Sequence, residues 1–427
     1  MTPRGARMNM SPGPGRLFRR ALSGVSMAAA AALLLLTGVG CPPQAQPVVE
    51  APAATENVPT IRVWLASGDN IALATTGGYT ILADGKVVAR SMDGLAKGDL
   101  TRKGRTWSIH AASYPARELV IESVGRSYIR LGTRLYRGRM VMLPDGATGI
   151  IVVNHLDLES YLAGVLGKEL YPRWHDRTYQ AQAIAARTYA LYEMATVGKG
   201  RSHDLRDDQS SQVYGGFSAE TDKSWRAVRS THGRVLAAGP KGAEKYFRAY
   251  YSSCCGGTVN NAHSLRGPPV AAGPLAGGQS CYDCSAARRY NWPAVTVPKA
   301  VIHSALTRTY KAAADLGGVK TIEVVSTFHG WLVWVDVVGP RGRKVRIRGQ
   351  DLRLCLLRHG HPSAKGLCST SCQVRDAGNS IVFENGRGFG HGVGMCQWGA
   401  EGKARKGYTA KEILLEYYPG AKLFTAY

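Results

Sequence analysis

The pattern of apolar and polar residues divides the chain into β-rich stretches on either side of a helical centre. From Ile61 onward, short alternating runs rich in Val, Ile and Tyr are separated by Gly, Asn and Asp, and this pattern predicts antiparallel strands. Between residues 157 and 170 the apolar residues instead recur at helical spacing. Asp157 suits an N-cap there, and Tyr171-Pro172 ends the run. We therefore predict an α+β fold in which mixed antiparallel β-rich parts surround a central helical hairpin.

The second arm of this hairpin is expected to start near Asp176. Its face is rich in alanine, which lets another backbone approach closely. Glu169 ends the first arm beside the turn, where a carboxyl group would project from the rim of the packed unit into a cleft, and we predict it to be the catalytic residue. The alternative is a solvated glutamate at a helix end beside Lys168, because glutamate is rarely buried.

The stretch YLAGVLGKELYPRWHDRTYQAQAIAARTYAL, residues 161–191, resembles the signature of the stage II sporulation protein D (SpoIID/LytB) family. In that family a glutamate precedes a Met/Leu-x-Pro turn, and an AQA-AARTYA helix follows. The residues that match one for one are Glu169, Gln182, Ala185, Ala186, Arg187, Thr188, Tyr189 and Ala190. Gln180 stands where the family commonly has a lysine, so a role for a cation is not carried over to that position.

Further phrases resemble the same family: QVYGG at 212–216, CCGGT at 254–258, GQDLRLCL at 349–356, which resembles a G-x-x-LR element, and the closing segment with GHGVGM. The resemblance covers residues 61 to 423 and implies one catalytic domain over 61–427. Its expected parts are a β-rich N-terminal part (61–154), the helical hairpin with Glu169 (155–234), a β-rich part with a cysteine-containing insertion (235–380) and a glycine-rich C-terminal signature (381–427). Some relatives carry a metal site just before QVY, but Ser210 and Ser211 stand there, so none is expected in this loop.

Residues 1–60 indicate export and attachment to a membrane. Arginines precede an apolar run from Met27 to Leu36 that is too short for an ordinary membrane span, which predicts a signal peptide over 1–40. The sequence LTGVGC resembles a bacterial lipobox with Cys41 as the lipidated residue, and the Pro/Ala-rich residues 41–60 are expected to form a tether. We therefore predict an exported lipoprotein, anchored in a membrane and facing the cell wall or periplasm.

Charge narrows the class of partner. The chain has 54 Lys and Arg against 30 Asp and Glu, and its net charge of +24 favours a polyanion such as nucleic acid, an anionic membrane surface or an anionic cell wall. Export disfavours nucleic acid among these.

Aromatic side chains and amides near the two signatures suit a polysaccharide, because sugar rings present apolar faces and hydroxyl edges. Trp174 offers one aromatic platform. The predicted substrate-binding residues are Gln182, Arg187, Gln212, Tyr214, His391, Gln397 and Trp398. For His391 the alternative is a hydrogen-bonded structural histidine.

A second carboxylate near Glu169 would indicate an ordinary glycosidase, which uses two carboxylates within about 10 Å of each other. Glu159 lies roughly 15 Å back along the predicted helix, which is too far. Asp176 follows the turn, and it either completes such a pair or caps the second helix.

Glycines alternate with other residues through Gly388, Gly390, Gly392 and Gly394. A dinucleotide-type phosphate loop is disfavoured, because too few residues follow to build a βαβ repeat. We expect instead that these glycines let the backbone pack closely against an extended ligand or against the hairpin.

Eight cysteines remain when Cys41 is set aside from the nine in the chain. In an exported protein an even number favours disulfides. The alternative is a structural zinc site, because Cys281-Tyr-Asp-Cys284 is a CxxC pair; its candidate ligands are Cys254, Cys255, His263, Cys281 and Cys284. The remaining cysteines lack metal spacing and are expected to include a disulfide: Cys355, Cys368, Cys372 and Cys396. No other cofactor is expected.

The family resemblance implies a lytic transglycosylase, which cleaves peptidoglycan glycan strands with a single carboxylate and leaves a 1,6-anhydro sugar. The expected process is wall remodelling or a sporulation-type event, with peptidoglycan as the partner. Two alternatives stay open: a non-catalytic enhancer of a wall amidase, and a glycan-binding lipoprotein. In both, Glu169 would not act on the glycan.

Overall fold

The computed structural model describes residues 58–265, 273–359 and 362–427, and the fold is α+β, as the pattern predicted. The predicted signal peptide, Cys41 and all but the last residues of the predicted tether lie outside the described residues. Within the described ranges, no helix combines the length and the apolar character needed to cross a bilayer.

The first β-rich part forms two sheets. Its strands are β1 (Thr60–Gly68), β2 (Asn70–Thr75), β3 (Tyr79–Ala83), β4 (Lys86–Ser91), β5 (Gly98–Lys103), β6 (Thr106–Ile109), β7 (Ala112–Pro115), β8 (Leu119–Ser123), β9 (Ile129–Leu131), β10 (Arg134–Tyr136), β11 (Arg139–Asp145), β12 (Gly149–Asp157) and β13 (Leu205–Arg206). The seven-stranded sheet has the order β13-β1-β12-β11-β8-β3-β4, and the six-stranded sheet has the order β10-β9-β2-β5-β6-β7. Alternate residues of β1, such as Ile61 and Val63, are fully buried, because successive side chains of a strand point to opposite faces.

The helical hairpin follows β12 directly. It consists of α1 (Leu158–Glu169) and α2 (Asp176–Ala195), and α3 (Asp222–Ser230) packs beside it. The Asp157 carboxylate accepts a hydrogen bond of 2.8 Å from the Ser160 amide, so Asp157 is the predicted N-cap. The second helix starts at Asp176 as expected, but its N-cap is His175, whose Nδ1 accepts from the Arg177 amide.

Helix α2 lies between two hydrophobic cores. One face, with Ala183, Ala186 and Ala190, packs into the core shared with α1 and the first two sheets, whereas Ala181 and Ala185 belong to a second core. The small alanine side chains let neighbouring segments pack closely against α2 on both sides. Most of the helix is therefore buried, and it lacks the wide polar face of a surface helix.

The second core and the second β-rich part follow α3. The elements here are β14 (Arg234–Ala238), β15 (Tyr251–Ser252), β16 (Asn291–Trp292), β17 (Val295–Pro298), α4 (Lys299–Thr309), β18 (Thr321–Phe328), β19 (Trp331–Val338), β20 (Lys344–Arg348), α5 (Gly349–Arg358), β21 (Ser371–Ala377), β22 (Ser380–Arg387), β23 (Met395–Cys396), α6 (Gln397–Arg405), α7 (Ala410–Tyr417) and β24 (Ala421–Thr425). Short 3-10 helices lie at Phe217–Ala219, Ala262–Ser264, Tyr282–Cys284, Lys311–Leu316 and Pro362–Ala364.

A seven-stranded sheet organises the second β-rich part. Its path is β16-β22-β21-β19-β18, with β17 paired to β22 and β20 paired to β19, and helices α4 and α5 contribute to its core. Two short pairs, antiparallel β14-β24 and parallel β15-β23, connect the chain after the hairpin to the C-terminal segment. The closing residues are thereby held beside α2.

The alternating glycines pack against residues 250–260 rather than against the hairpin. Phe389 exchanges two backbone hydrogen bonds with Cys254, and the Gly392 carbonyl accepts from the Asn260 amide at 2.8 Å. Gly392 has a φ of +72°, and a Cβ there would overlap the ring of Trp331, which is fully buried. The backbone of this glycine-rich segment therefore packs closely against other residues of the protein itself.

Candidate active site

Glu169 is the last residue of α1, and its carboxylate is held by two donors from distant segments. Oε1 accepts a hydrogen bond from the Val213 amide, and Oε2 accepts one from Nε2 of Gln397, both at 3.1 Å. Val213 belongs to the loop before α3, and Gln397 is the first residue of α6. The carboxylate is therefore fixed between the predicted hairpin and the predicted C-terminal signature.

A cavity of about 490 Å³ opens on this carboxylate. Its described lining residues are Lys168, Glu169, Leu170, Tyr171, Trp174, Gln209, Ser211, Val213, Tyr251, Ser252, Ser253, Gln350, Arg353, Leu354, Phe389, Gly390, His391 and Gln397. Glu169 is the one carboxylate among them. Lys168 is exposed, as expected, and Arg353 adds a second cation.

The surroundings favour a protonated Glu169. Burial raises the pKa of this carboxyl above its ordinary value, while the hydrogen bonds from Val213 and Gln397 act in the opposite direction because they stabilise the charged form. Burial has the larger effect, so the group keeps its proton at a higher pH than a solvated glutamate. This is the property that a general acid needs.

The two carboxylates weighed as partners of Glu169 are elsewhere. Asp176 is exposed and pairs with Lys223 at 3.3 Å, outside the cavity lining. Glu159 is buried in the core, where it forms a two-pronged salt bridge with Arg187 at 2.6 and 2.8 Å. The cavity therefore offers a single carboxylate among its described residues.

Aromatic rings form one wall beside Glu169. Trp174 lies 5.1 Å from Trp398 and 5.2 Å from Tyr171 between ring centroids. Tyr171 is 58% exposed, whereas Trp174 is buried beneath it. Tyr171, which the sequence reasoning treated only as a turn residue, is thus the accessible ring of the cluster.

His391 lines the cavity in a neutral form. Its Nδ1 accepts a hydrogen bond of 3.0 Å from the Val393 amide, and its ring packs against Tyr250. Burial lowers the pKa of His391 to about 4, with nearby Arg353 acting in the same direction. His391 combines both readings: it is hydrogen-bonded to its own segment and it faces the cavity.

Gln182 stands behind the site. Its Oε1 lies 3.5 Å from Nε2 of Gln397, the same nitrogen that donates to Glu169. Gln182 is fully buried and does not line the cavity. In this position Gln182 contacts Gln397, and substrate binding by Gln182 stays a prediction.

Three other predicted substrate-binding residues are buried away from the cavity. Arg187 is committed to Glu159 and to the Arg234 carbonyl. The Tyr214 hydroxyl donates to Asn154, and Gln212 is hydrogen-bonded to Tyr161 and Tyr251. Their positions do not fit direct contact with a ligand, because their polar atoms already have partners inside the core. Their role is to hold α1, α2 and the QVY loop together.

Sequence reasoning missed part of the cavity. The backbone of Val213 and the residues Tyr251, Gln350 and Arg353 line it without having been predicted. A signal existed for Arg353, because the phrase GQDLRLCL resembles a G-x-x-LR element of the family. The Val213 contact carries no signal in its side chain, since its amide is the donor.

The described cysteines are not joined by the expected disulfides, and three of the five candidate zinc ligands lie together. All eight cysteines in the described residues are buried and unpaired, so no disulfide joins them. The Sγ atoms of Cys255, Cys281, Cys284 and Cys396 lie within 4.8 Å of one another. Cys396, which was predicted to lack metal spacing, belongs to this group. Two of the candidate zinc ligands do not: His263 is exposed, and Cys254 lies beside the group.

Comparisons with known proteins place these features in context. The family model described as stage II sporulation protein matches residues 146–237, a range that contains Glu169 and the whole hairpin. An uncharacterized protein of Brachyspira hyodysenteriae is 31% identical over 288 residues, covering 67% of this chain and 72% of that protein. Stage II sporulation protein D of Bacillus subtilis is 26% identical over 311 residues, covering 69% of this chain and 82% of that protein. The amidase enhancer of Bacillus subtilis is 26% identical over 301 residues, covering 61% of this chain and 40% of that protein.

Proposed function

Because the chain belongs to the stage II sporulation protein D (SpoIID/LytB) family, we propose that it acts on cell-wall peptidoglycan as a lytic transglycosylase. The observation that carries this proposal is that the described residues lining the cavity include a single carboxylate, that of Glu169. A two-carboxylate glycosidase needs a second acid within about 10 Å, and neither Glu159 nor Asp176 lines the site. A lytic mechanism needs one carboxyl group that acts first as an acid and then as a base.

In the proposed reaction Glu169 donates its proton to the glycosidic oxygen as the bond from the anomeric carbon to that oxygen breaks. The primary hydroxyl of the same sugar then attacks the anomeric carbon, and the Glu169 carboxylate takes the hydroxyl proton. The product carries a 1,6-anhydro ring, no water is consumed, and Glu169 ends protonated. Between the two proton transfers, the Val213 amide and the Gln397 side chain stabilise the carboxylate.

The rest of the cavity suits a glycan strand that carries carboxylates. Tyr171 presents an exposed ring at the rim, on which the apolar face of a sugar can stack. Lys168 and Arg353 supply positive charge near the carboxyl groups of the wall polymer. Water is partly excluded from Glu169 by Leu170 and Trp174, both of which are buried beside it.

Digestion of purified glycan tests this function. The purified chain is incubated with intact wall sacculi and with peptide-stripped glycan strands, and the products are identified by mass spectrometry. We expect anhydro-terminated products from at least one substrate. Glu169→Gln keeps the shape of the side chain but cannot transfer a proton, so its rate should fall by about a hundredfold to ten-thousandfold. Binding of the variant to glycan strands should be unchanged.

Asp176→Asn is the matched control, because Asp176 is a carboxylate close in sequence that lies outside the cavity. Its rate should equal that of the unchanged chain. If Glu169→Gln keeps more than about a tenth of the rate, the loss is under about 1.4 kcal/mol and Glu169 is not the acid.

A second function is favoured by the similarity to the amidase enhancer of Bacillus subtilis. In that case the chain would stimulate a wall amidase without cutting glycan. Adding the chain to a purified wall amidase and measuring the release of stem peptides separates the two. Stimulation that Glu169→Gln retains, with no anhydro product from either protein, would establish the enhancer function in place of the enzyme.

We also propose the location. The arginine-rich and apolar N-terminal residues and Cys41 support export and a lipid anchor that faces the wall. Replacing Cys41→Ser should release soluble exported protein. A substituted protein that still partitions with membranes would contradict lipidation and point to an uncleaved signal anchor.

A further inference from the structure

Four cysteine thiols from three separate segments meet in the second core. The Sγ atoms of Cys255, Cys281, Cys284 and Cys396 all lie within 4.8 Å of one another, and each residue is at most 1% exposed. Cys255 follows β15, Cys281 and Cys284 bracket a 3-10 turn, and Cys396 ends β23. Pairing of β15 with β23 brings the first and last of these segments together.

The spacing of the sulfur atoms fits a shared metal ion better than disulfides. Sγ of Cys255 and Sγ of Cys284 are 3.7 Å apart, whereas bonded sulfurs in a disulfide are about 2.05 Å apart. Zinc bound tetrahedrally by thiolates has Zn–S bonds of roughly 2.3 Å, which places neighbouring sulfurs about 3.8 Å apart. The separation of this pair matches this value, and the other sulfur pairs of the cluster lie within 4.8 Å.

Hydrogen-bond donors surround the cluster as they surround metal-bound thiolates. The backbone amides of Cys255 and Gly399 both donate to Sγ of Cys396 at 3.3 Å. The Tyr417 hydroxyl lies 3.0 Å from Sγ of Cys281. Such donors stabilise negative charge on sulfur and orient the ligands. Gly399 also leaves room for the cluster, because a Cβ there would overlap Sγ of Cys281.

We propose that Cys255, Cys281, Cys284 and Cys396 bind one zinc ion as a structural site. The protein supplies all four ligands, as structural zinc sites require, and the thiols lose their protons on binding. Cys254 is left out of the proposed ligands, because its sulfur is not among the four that lie within 4.8 Å of one another.

The ion would fasten the start of α6. Cys396 is the N-cap of this helix, and the next residue is Gln397, whose amide donates to Glu169. The zinc site would therefore hold the positioning residue Gln397 against the end of α1. The existence of the site does not depend on the reaction proposed for Glu169, and it is tested without any activity measurement.

Metal content and thiol state of the purified full chain test the proposal directly. The protein is prepared without a histidine tag, and metals are quantified by mass spectrometry. We expect one zinc per chain, and cobalt substitution should give the strong absorption typical of tetrahedral thiolate coordination. Alkylation in denaturant without reductant should modify all four cysteines, because unfolding releases zinc and leaves free thiols. Absence of zinc with protection of these cysteines until reductant is added would show disulfides and overturn the proposal, and iron in place of zinc would overturn the identity of the ion.

Single substitutions to serine identify the ligands. Zinc content should fall well below one equivalent in Cys255→Ser, Cys281→Ser, Cys284→Ser and Cys396→Ser. Cys254→Ser and Cys355→Ser are matched controls, because both cysteines are buried but lie outside the cluster, and both should retain the metal. Retention of a full equivalent in all four cluster variants would contradict the site. If a cluster variant does not fold, the zinc content of the unchanged chain still decides.

Discussion

Glu169 owes its position to residues 44 and 228 positions away in the chain. The sequence indicated Glu169 because it ends a helix before a turn, and that reasoning is local. It could not show that Gln397, which lines the cavity, also donates to Glu169, because this contact depends on how the C-terminal segment packs. Nor could it show that Arg187 is fully committed to Glu159 inside the core. At the scale of single residues, sequence patterns pointed to the one carboxylate among the described residues that line the cavity, but not to the residues that hold it.

The raised pKa of Glu169 leads to a pH dependence. If the protonated form is the active one, kcat/KM should fall as the pH rises through this raised pKa, that is, above the ordinary glutamate range of about 4.3. The Gln397 amide stabilises the carboxylate, so Gln397→Leu should raise the pKa of Glu169 further. The falling limb should then move to higher pH while the maximal rate decreases. Steady-state rates measured across the pH range check both effects, and an unchanged limb in Gln397→Leu would contradict the role of this hydrogen bond.

Gly392 tests how tightly the closing segment packs. It has a φ of +72°, and a Cβ would overlap the buried ring of Trp331. Gly378 has nearly the same φ, +71°, with no atom within 4 Å of a Cβ, so it is a matched control. Gly378→Ala should cost about 1–2 kcal/mol for the left-handed conformation alone. Gly392→Ala should lower the free energy of unfolding by more than this. If chemical denaturation shows equal losses in the free energy of unfolding for the two variants, the segment around Gly392 accommodates the added Cβ without strain.

At the scale of elements, α1 and α2 follow from local patterns, including the Asp157 cap and the close-packing alanines. The sequence did not show that α2 is buried between two cores, because periodicity reports which face is apolar and not what covers it. The joining of β15 and β23, which brings Cys396 to the other three cysteines, was also beyond local reasoning. The spacing of cysteines along the chain does not reveal a cluster in which one cysteine comes from a distant strand.

The buried pair of Arg187 and Glu159 fastens the two arms of the hairpin. Arg187→Met should destabilise the fold by about 3–5 kcal/mol, because it leaves the Glu159 carboxylate buried without its partner. Adding Glu159→Leu should restore part of the loss, since both charges are then absent. Arg375→Met, which breaks an exposed pair with Glu384, should change stability little. Thermal and denaturant unfolding check this series, and an Arg187→Met loss no larger than that of Arg375→Met would show that the pair is dispensable.

On the scale of the whole molecule, the cavity is assembled from parts that the chain keeps far apart. The hairpin supplies Glu169, the loop before α3 supplies Val213, α5 supplies Arg353, and the closing segment supplies His391 and Gln397. The α+β class and the two signatures were predictable because each can be recognised from continuous stretches of sequence. The aromatic and amide residues near both signatures suggested a shared ligand, whereas the shape of the cavity and the single carboxylate among its described lining residues required the three-dimensional arrangement.

The most direct test of the central claim is digestion of peptide-stripped glycan in water enriched in the heavy oxygen isotope. Glu169 is proposed to cleave the strand without consuming water, so the new sugar ends should be 1,6-anhydro rings that contain no heavy oxygen. Mass spectrometry of the released fragments detects both the anhydro ring and the oxygen isotope in one experiment, with Glu169→Gln as the inactive comparison. Fragments whose new reducing ends carry heavy oxygen would show hydrolysis by an activated water molecule, and would contradict the single-carboxylate lytic mechanism.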